Sequence, residues 1–191
     1  MLEKEEYENA IEVLKETKIA ILQKNAIKLR DLSNRTVHSS CSYQDPGSVT
    51  AAVLIYALSK LIERGDISKI KDWDKLIKKF NSNLDLAILA LEENNSEAYA
   101  LHMQRARKVI ESGAVNLKPY IKEVIRKASI NKGSKLYAHG LSLEKTARLL
   151  GITQWELSEY TAQIDAKIQE INLNNTMNIK KRAQIALEFL S

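Results

Sequence analysis

LSLEKTARLLGITQWELSEYTAQ, running from Leu141 to Gln163, carries two short helical patterns separated by a glycine. Ser142 is placed to cap a helix from Leu143 to Leu150, because a short side-chain oxygen can take up an unpaired amide of the first turn. Gly151 falls where the chain must turn sharply, and glycine accepts backbone conformations that a Cβ atom disfavours. Thr153 is placed to cap a second helix reaching about Ala162. Two short helices joined by a three- or four-residue turn containing Gly meet the description of a helix-turn-helix unit. Ala147 is small where the helices would cross. Leu150, Ile152, Leu157 and Tyr160 supply an apolar seam. Thr146 departs from the pattern, being polar where an apolar residue is usual.

Working toward the N-terminus, the other segments also read as helices. Residues 4–32 place Tyr7, Ile11, Leu14, Ile21, Leu22, Ile27 and Leu29 among charges at near-helical spacing, with a break expected near Thr17. SNRTVHSSCSYQDPGS, residues 33–48, reads as a loop. Asp45-Pro46 resembles a cap followed by proline at the first helical position. It opens VTAAVLIYALSKLIER, apolar almost all round and therefore expected in the centre of a core. Ser68 or Asp72 starts a helix to Phe80, residues 81–83 read as a break, and 84–93 and the stretch after Ser96 are again helical. Pro119 opens a further helix, and 178–190 is a last amphipathic one, expected to dock on the body or to form a homodimer. No segment alternates as a half-buried strand does. The expectation is an all-α fold: an N-terminal helical bundle over residues 1–115, then residues 116–191 with a basic helix, the helix-turn-helix and the C-terminal helix.

Composition narrows the function classes. The single cysteine, Cys41, excludes a disulfide framework and fits a reducing compartment. The acidic N-terminus lacks the basic leader of a signal peptide, and the longest apolar run is too short to span a bilayer. A cytoplasmic chain with no membrane partner is expected. Net charge is +5, unevenly distributed. Residues 3–16 hold six acids against Lys4 and Lys15, whereas residues 118–148 hold eight bases against Glu123 and Glu144. Such separation points to a polyanion-facing surface or to a solvated lysine-rich face.

In helix-turn-helix proteins that read DNA, the second helix enters the major groove with its N-terminal residues at the base edges. Thr153, Gln154, Trp155 and Ser158 occupy those positions here. Gln154 has the paired donor and acceptor that match adenine, and Ser158 could serve either base type. Lys132, Lys135, Lys145 and Arg148 are the candidate phosphate contacts. Against this, Glu156 and Glu159 lie on the second helix, and acids near phosphates repel them.

Ser142, Ala147, Leu150-Gly151-Ile152-Thr153 and Trp155-Glu156-Leu157 resemble the helix-turn-helix of small prokaryotic antitoxin-like proteins and of uncharacterised archaeal regulators. The resemblance is confined to residues 141–163 and implies duplex DNA binding and autoregulation of an operon, a transcription regulator rather than an enzyme. Two other classes stay open. One is a protein-interaction adaptor whose helix-turn-helix is structural and whose partner docks at Trp155. The other is an RNA-binding or RNA-processing helical protein: Asn34 to His38 partly resemble the R-N-x-x-x-H motif of HEPN-type ribonucleases, although Ser33 stands where that motif has arginine. His38 and Cys41 have metal-like spacing, but two ligands do not make a site. No phosphate-cradling glycine loop and no nucleophile motif is present, so no catalytic residue, cofactor or metal is expected.

Overall fold

The computed structural model describes residues 4–43, 45–112 and 118–175. Among them the chain is helical and contains no strand, as its patterning requires. Helix α1 (Lys4–Leu22) and helix α2 (Ala26–Tyr43) form a hairpin. Lys24 takes a left-handed conformation, φ 52°, and Asn25 caps α2 by accepting from the Lys28 amide at 3.0 Å. The break therefore lies at residues 23–25 and not near Thr17, which sits fully buried within α1.

The stretch expected as a loop is helical through Tyr43. Leu29, Leu32, Ser33, Thr36 and Val37 are all buried, spaced as one helical face. Two of the five are hydroxyl residues, which hides the pattern in the sequence. Their polarity is taken up internally: Ser33 donates to the Ala52 carbonyl at 2.7 Å and Thr36 to the Leu32 carbonyl at 2.9 Å.

Helix α3 (Pro46–Glu63) is the central element, buried along most of its length. Asp45 caps it, accepting from the Ser48 amide at 2.7 Å, and Pro46 follows in the first turn. Beyond it, Gly65 (φ 69°) leads into a short 3-10 turn, Asp66–Lys69.

Helix α4 (Trp73–Glu92) and helix α5 (Ser96–Ser112) form a second hairpin. It repeats the first turn: Asn94 is left-handed at φ 57° and Asn95 caps α5 through the Ala98 amide at 2.9 Å. The break expected at 81–83 is absent. Ser82 and Asn83 donate back to the Lys78 and Lys79 carbonyls, so these turn-favouring side chains spend their hydrogen bonds on the helix that carries them.

Helix α6 (Lys118–Ala138) lies against α3, with further contacts to α2 and α5. Helix α7 (Leu143–Leu150) and helix α8 (Gln154–Asn175) pack on α6 and on each other. Helix α8 thus runs well past Ala162. One buried apolar cluster includes Tyr7 of α1, Leu54 and Leu58 of α3, Phe80 of α4, Ile125 of α6 and Leu150 of α7, so the core holds residues from both sides of 113–117. No described helix is long and apolar enough to cross a membrane. The amphipathic stretch 178–190 lies outside the described residues.

Candidate functional site

The turn between α7 and α8 is built as its residue types dictate. The Ser142 hydroxyl accepts from the Lys145 amide at 3.3 Å. Gly151 adopts φ 65°, the left-handed region, and the Ile152 amide reaches back to the Ala147 carbonyl at 3.1 Å. This is the glycine-terminated helix end that satisfies otherwise orphaned carbonyls. Thr153 and Glu156 then form a reciprocal cap: the Thr153 amide donates to the Glu156 carboxylate at 2.9 Å, and the Glu156 amide donates to the Thr153 hydroxyl at 3.1 Å.

Packing fixes the pair of helices to α6. Leu150 and Leu157 are buried, as are Ala147 and Leu141. They close over Gly133, where a Cβ atom would stand 2.8 Å from Leu150 Cδ1 and 3.1 Å from Leu157 Cδ1. Gly133 is thus the point where side chains of α7 and α8 lie directly on the backbone of α6. Ile152 and Tyr160, expected in the seam, are half-buried. The Tyr160 hydroxyl accepts from Asn131 at 3.1 Å. Thr146 is fully buried, and its hydroxyl finds no partner among the described residues.

The outward side of α8 begins with Gln154, Trp155 and Ser158, all exposed; Trp155 is 78% accessible. Thr153 is exposed too, but its hydroxyl is engaged by the cap. Glu156, next to Trp155 in sequence, is engaged by its neighbours. It accepts from the Thr153 amide and hydroxyl and from the Arg126 guanidinium of α6, and these contacts hold its carboxyl below the usual range. Arg126 is a partner the sequence does not point to, because a separation of 30 positions leaves no local spacing signal. Glu159 is exposed.

The four expected phosphate contacts are placed very differently. Arg148 is exposed and Lys145 half-buried on α7. Lys135 is exposed but donates to the Asn34 side-chain oxygen at 2.8 Å. Lys132 corrects the expectation outright: it is fully buried, donates to the same Asn34 oxygen at 3.0 Å, and stands 4.3 Å from the centre of the Tyr56 ring. Lys132 follows Ile121, Ile125 and Ala128 on the buried stripe of α6, while Lys135 lies at the edge of the same face, so both reach Asn34 but only Lys132 is enclosed.

Arg35, part of the stretch with partial likeness to a ribonuclease motif, is committed elsewhere. It binds Glu16 at 2.9 Å, Glu12 at 3.1 Å and Asn9 at 3.2 Å, clamping α1 to α2. The side chains of His38 and Cys41 lie outside the described residues. Among the described residues no three His, Cys, Asp or Glu side chains gather as metal ligands. Comparison with protein-family models, with curated proteins and with solved structures gives no match.

Proposed function

We propose that residues 142–162 act as a helix-turn-helix that binds duplex DNA, appended to a helical bundle, in a transcriptional regulator. One observation carries the reading. Gln154, Trp155 and Ser158 stand exposed together at the start of α8, while the acid among them, Glu156, is held by Thr153 and Arg126. The helix start thereby presents polar and aromatic side chains to a groove while that charge is paired with Arg126. Gln154 and Ser158 would read base edges, and Trp155 would make apolar contact with a thymine methyl or sugar. Arg148 and Lys145 on α7 would hold phosphates, as the first helix does in such units, and Lys135 would add to them on leaving Asn34.

The test is fluorescence polarisation with duplexes from the DNA upstream of the coding sequence, at low and moderate salt. Affinity should fall steeply as salt rises, because phosphate contacts release counterions. An Arg148→Ala/Lys145→Ala double variant should bind more weakly and with a shallower salt slope. Failure to bind any duplex at about 50 mM salt would sink the reading.

The exposure of Trp155 beside Glu159 favours a second reading, protein docking through this face, since tryptophan is enriched in binding hot spots. That reading expects no duplex affinity even in dilute buffer.

A further inference from the structure

Between α3, α6 and α8 lies a half-open cleft of about 370 Å³, a volume within the range of small-molecule sites. Tyr56 of α3 and Tyr160 of α8 contribute rings to its walls, and Val124 and Ala128 of α6 contribute aliphatic surface. Four cations complete the walls: Lys60 and Arg64 from α3, Arg126 and Lys127 from α6. Among the described residues, none of those lining it is acidic.

The carboxylates that pair with these cations sit outside the walls. Glu63 holds Lys60 at 2.6 Å and also lies 3.8 Å from Arg30. Glu123 is shared between Arg126, two of whose nitrogens it takes at 2.9 and 3.1 Å, and Lys127 at 3.4 Å, and Glu156 takes the third guanidinium nitrogen of Arg126. The Tyr120 hydroxyl donates to Asp66, and Arg64 lies beside this pair. Buried Lys132 stands against the Tyr56 ring and donates to Asn34, with no carboxylate partner among the described residues. The cleft lining therefore joins aromatic and aliphatic surface to four cationic side chains whose carboxylate partners are not part of it, a combination that suits an anion attached to a flat hydrophobic body.

We propose that this cleft binds a small organic anion, a planar apolar body bearing one carboxylate, sulfonate or phosphate group. The site stands apart from the face of Gln154 and Trp155 and does not depend on DNA binding. Two of the polar links that hold α8 to α6, Arg126 to Glu156 and Asn131 to Tyr160, end in its walls, so an occupant touches what fixes α8.

The test uses the full chain without DNA. The probe is 1-anilinonaphthalene-8-sulfonate, and the control is N-phenyl-1-naphthylamine, the same skeleton without the sulfonate. The sulfonate should bind with one-to-one stoichiometry and weaken about tenfold in a Lys60→Gln/Lys127→Gln variant, the loss expected for charge-assisted contacts. The uncharged control should bind both proteins alike. A Lys75→Gln/Lys79→Gln variant, which removes the same charge beside a different depression formed by α4 and α5, should keep full affinity. Equal weakening in both variants, or in neither, overturns the proposal. A measurement on the unaltered chain guards against a variant that misfolds: the probe should slow amide hydrogen exchange over residues 124–131, and slowing only elsewhere also overturns it. Because no duplex is present, failure here leaves the DNA reading standing, and failure of that reading leaves this one.

Discussion

The Lys132 ammonium reaches the Asn34 side-chain oxygen at 3.0 Å across 98 residues of sequence, with no part of the lysine accessible to solvent. Burial, with Lys135 and Lys60 adding repulsion, brings its pKa down from 10.5 to about 7. A fixed cation here costs stability, so its consequences are measurable.

Below pH 7 both the folded and the unfolded chain carry the Lys132 proton, and the cost of burying the charge is fully present. Between about pH 7 and 10.5 the unfolded chain keeps the proton and the folded chain releases it. Stability therefore rises with pH across this window, by up to about 1.4 kcal/mol per pH unit from this group. A Lys132→Met variant, which leaves Lys135 to serve Asn34, should be more stable than the parent near pH 6 and lose that advantage toward pH 10. Urea midpoints at several pH values read the difference; an offset that does not vary with pH would remove the assignment.

Gly133 offers a steric test of the three-helix junction. Alanine would gain roughly 1 kcal/mol of helix propensity, against a methyl pressed 2.8 Å from Leu150 Cδ1. That atom is the end of a rotatable side chain, so Gly133→Ala should come out near neutral. Gly133→Leu leaves no such escape and should lose roughly 1–3 kcal/mol by overpacking. Thermal melts of the two variants check it, and a tolerated leucine would mean that Leu150 and Leu157 do not close over Gly133.

Thr146 is buried with its hydroxyl unpaired. Thr146→Val keeps the branched shape and similar helix propensity while deleting the desolvated oxygen, and should stabilise by about 1 kcal/mol. Denaturant unfolding reads the sign. A loss would reveal a hydrogen-bond partner for that hydroxyl.

Trp155, at 78% exposure, contributes little to the fold. Trp155→Ala should leave stability within about 0.5 kcal/mol of the parent and weaken duplex binding about fivefold or more, the loss of an apolar base contact. Unfolding curves and polarisation titrations on one preparation separate these. Full duplex affinity in the variant would take Trp155 out of the interface.

Much of this was readable from residue type at short range. The Asp45-Pro46 start of α3, its apolar circumference, the glycine turn at Gly151 and the caps at Ser142 and Thr153 all appear where the sequence puts them, because capping and turn formation depend on neighbours within four residues. The misreadings share a cause. Residues 33–43 and 81–83 look like loop because serine, threonine and asparagine favour turns when nothing else satisfies them. Here Ser33 meets the Ala52 carbonyl of another helix, and Ser82 and Asn83 bond their own.

Only the tertiary structure decided which charges face water. Lys132 falls in the apolar stripe of Ile121, Ile125, Ala128 and Leu136, but its partner Asn34 is not announced there, and nothing near Glu156 announces Arg126. Burial and ion pairing are set by helices brought together across 30 to 98 residues, a distance over which helical periodicity carries no information.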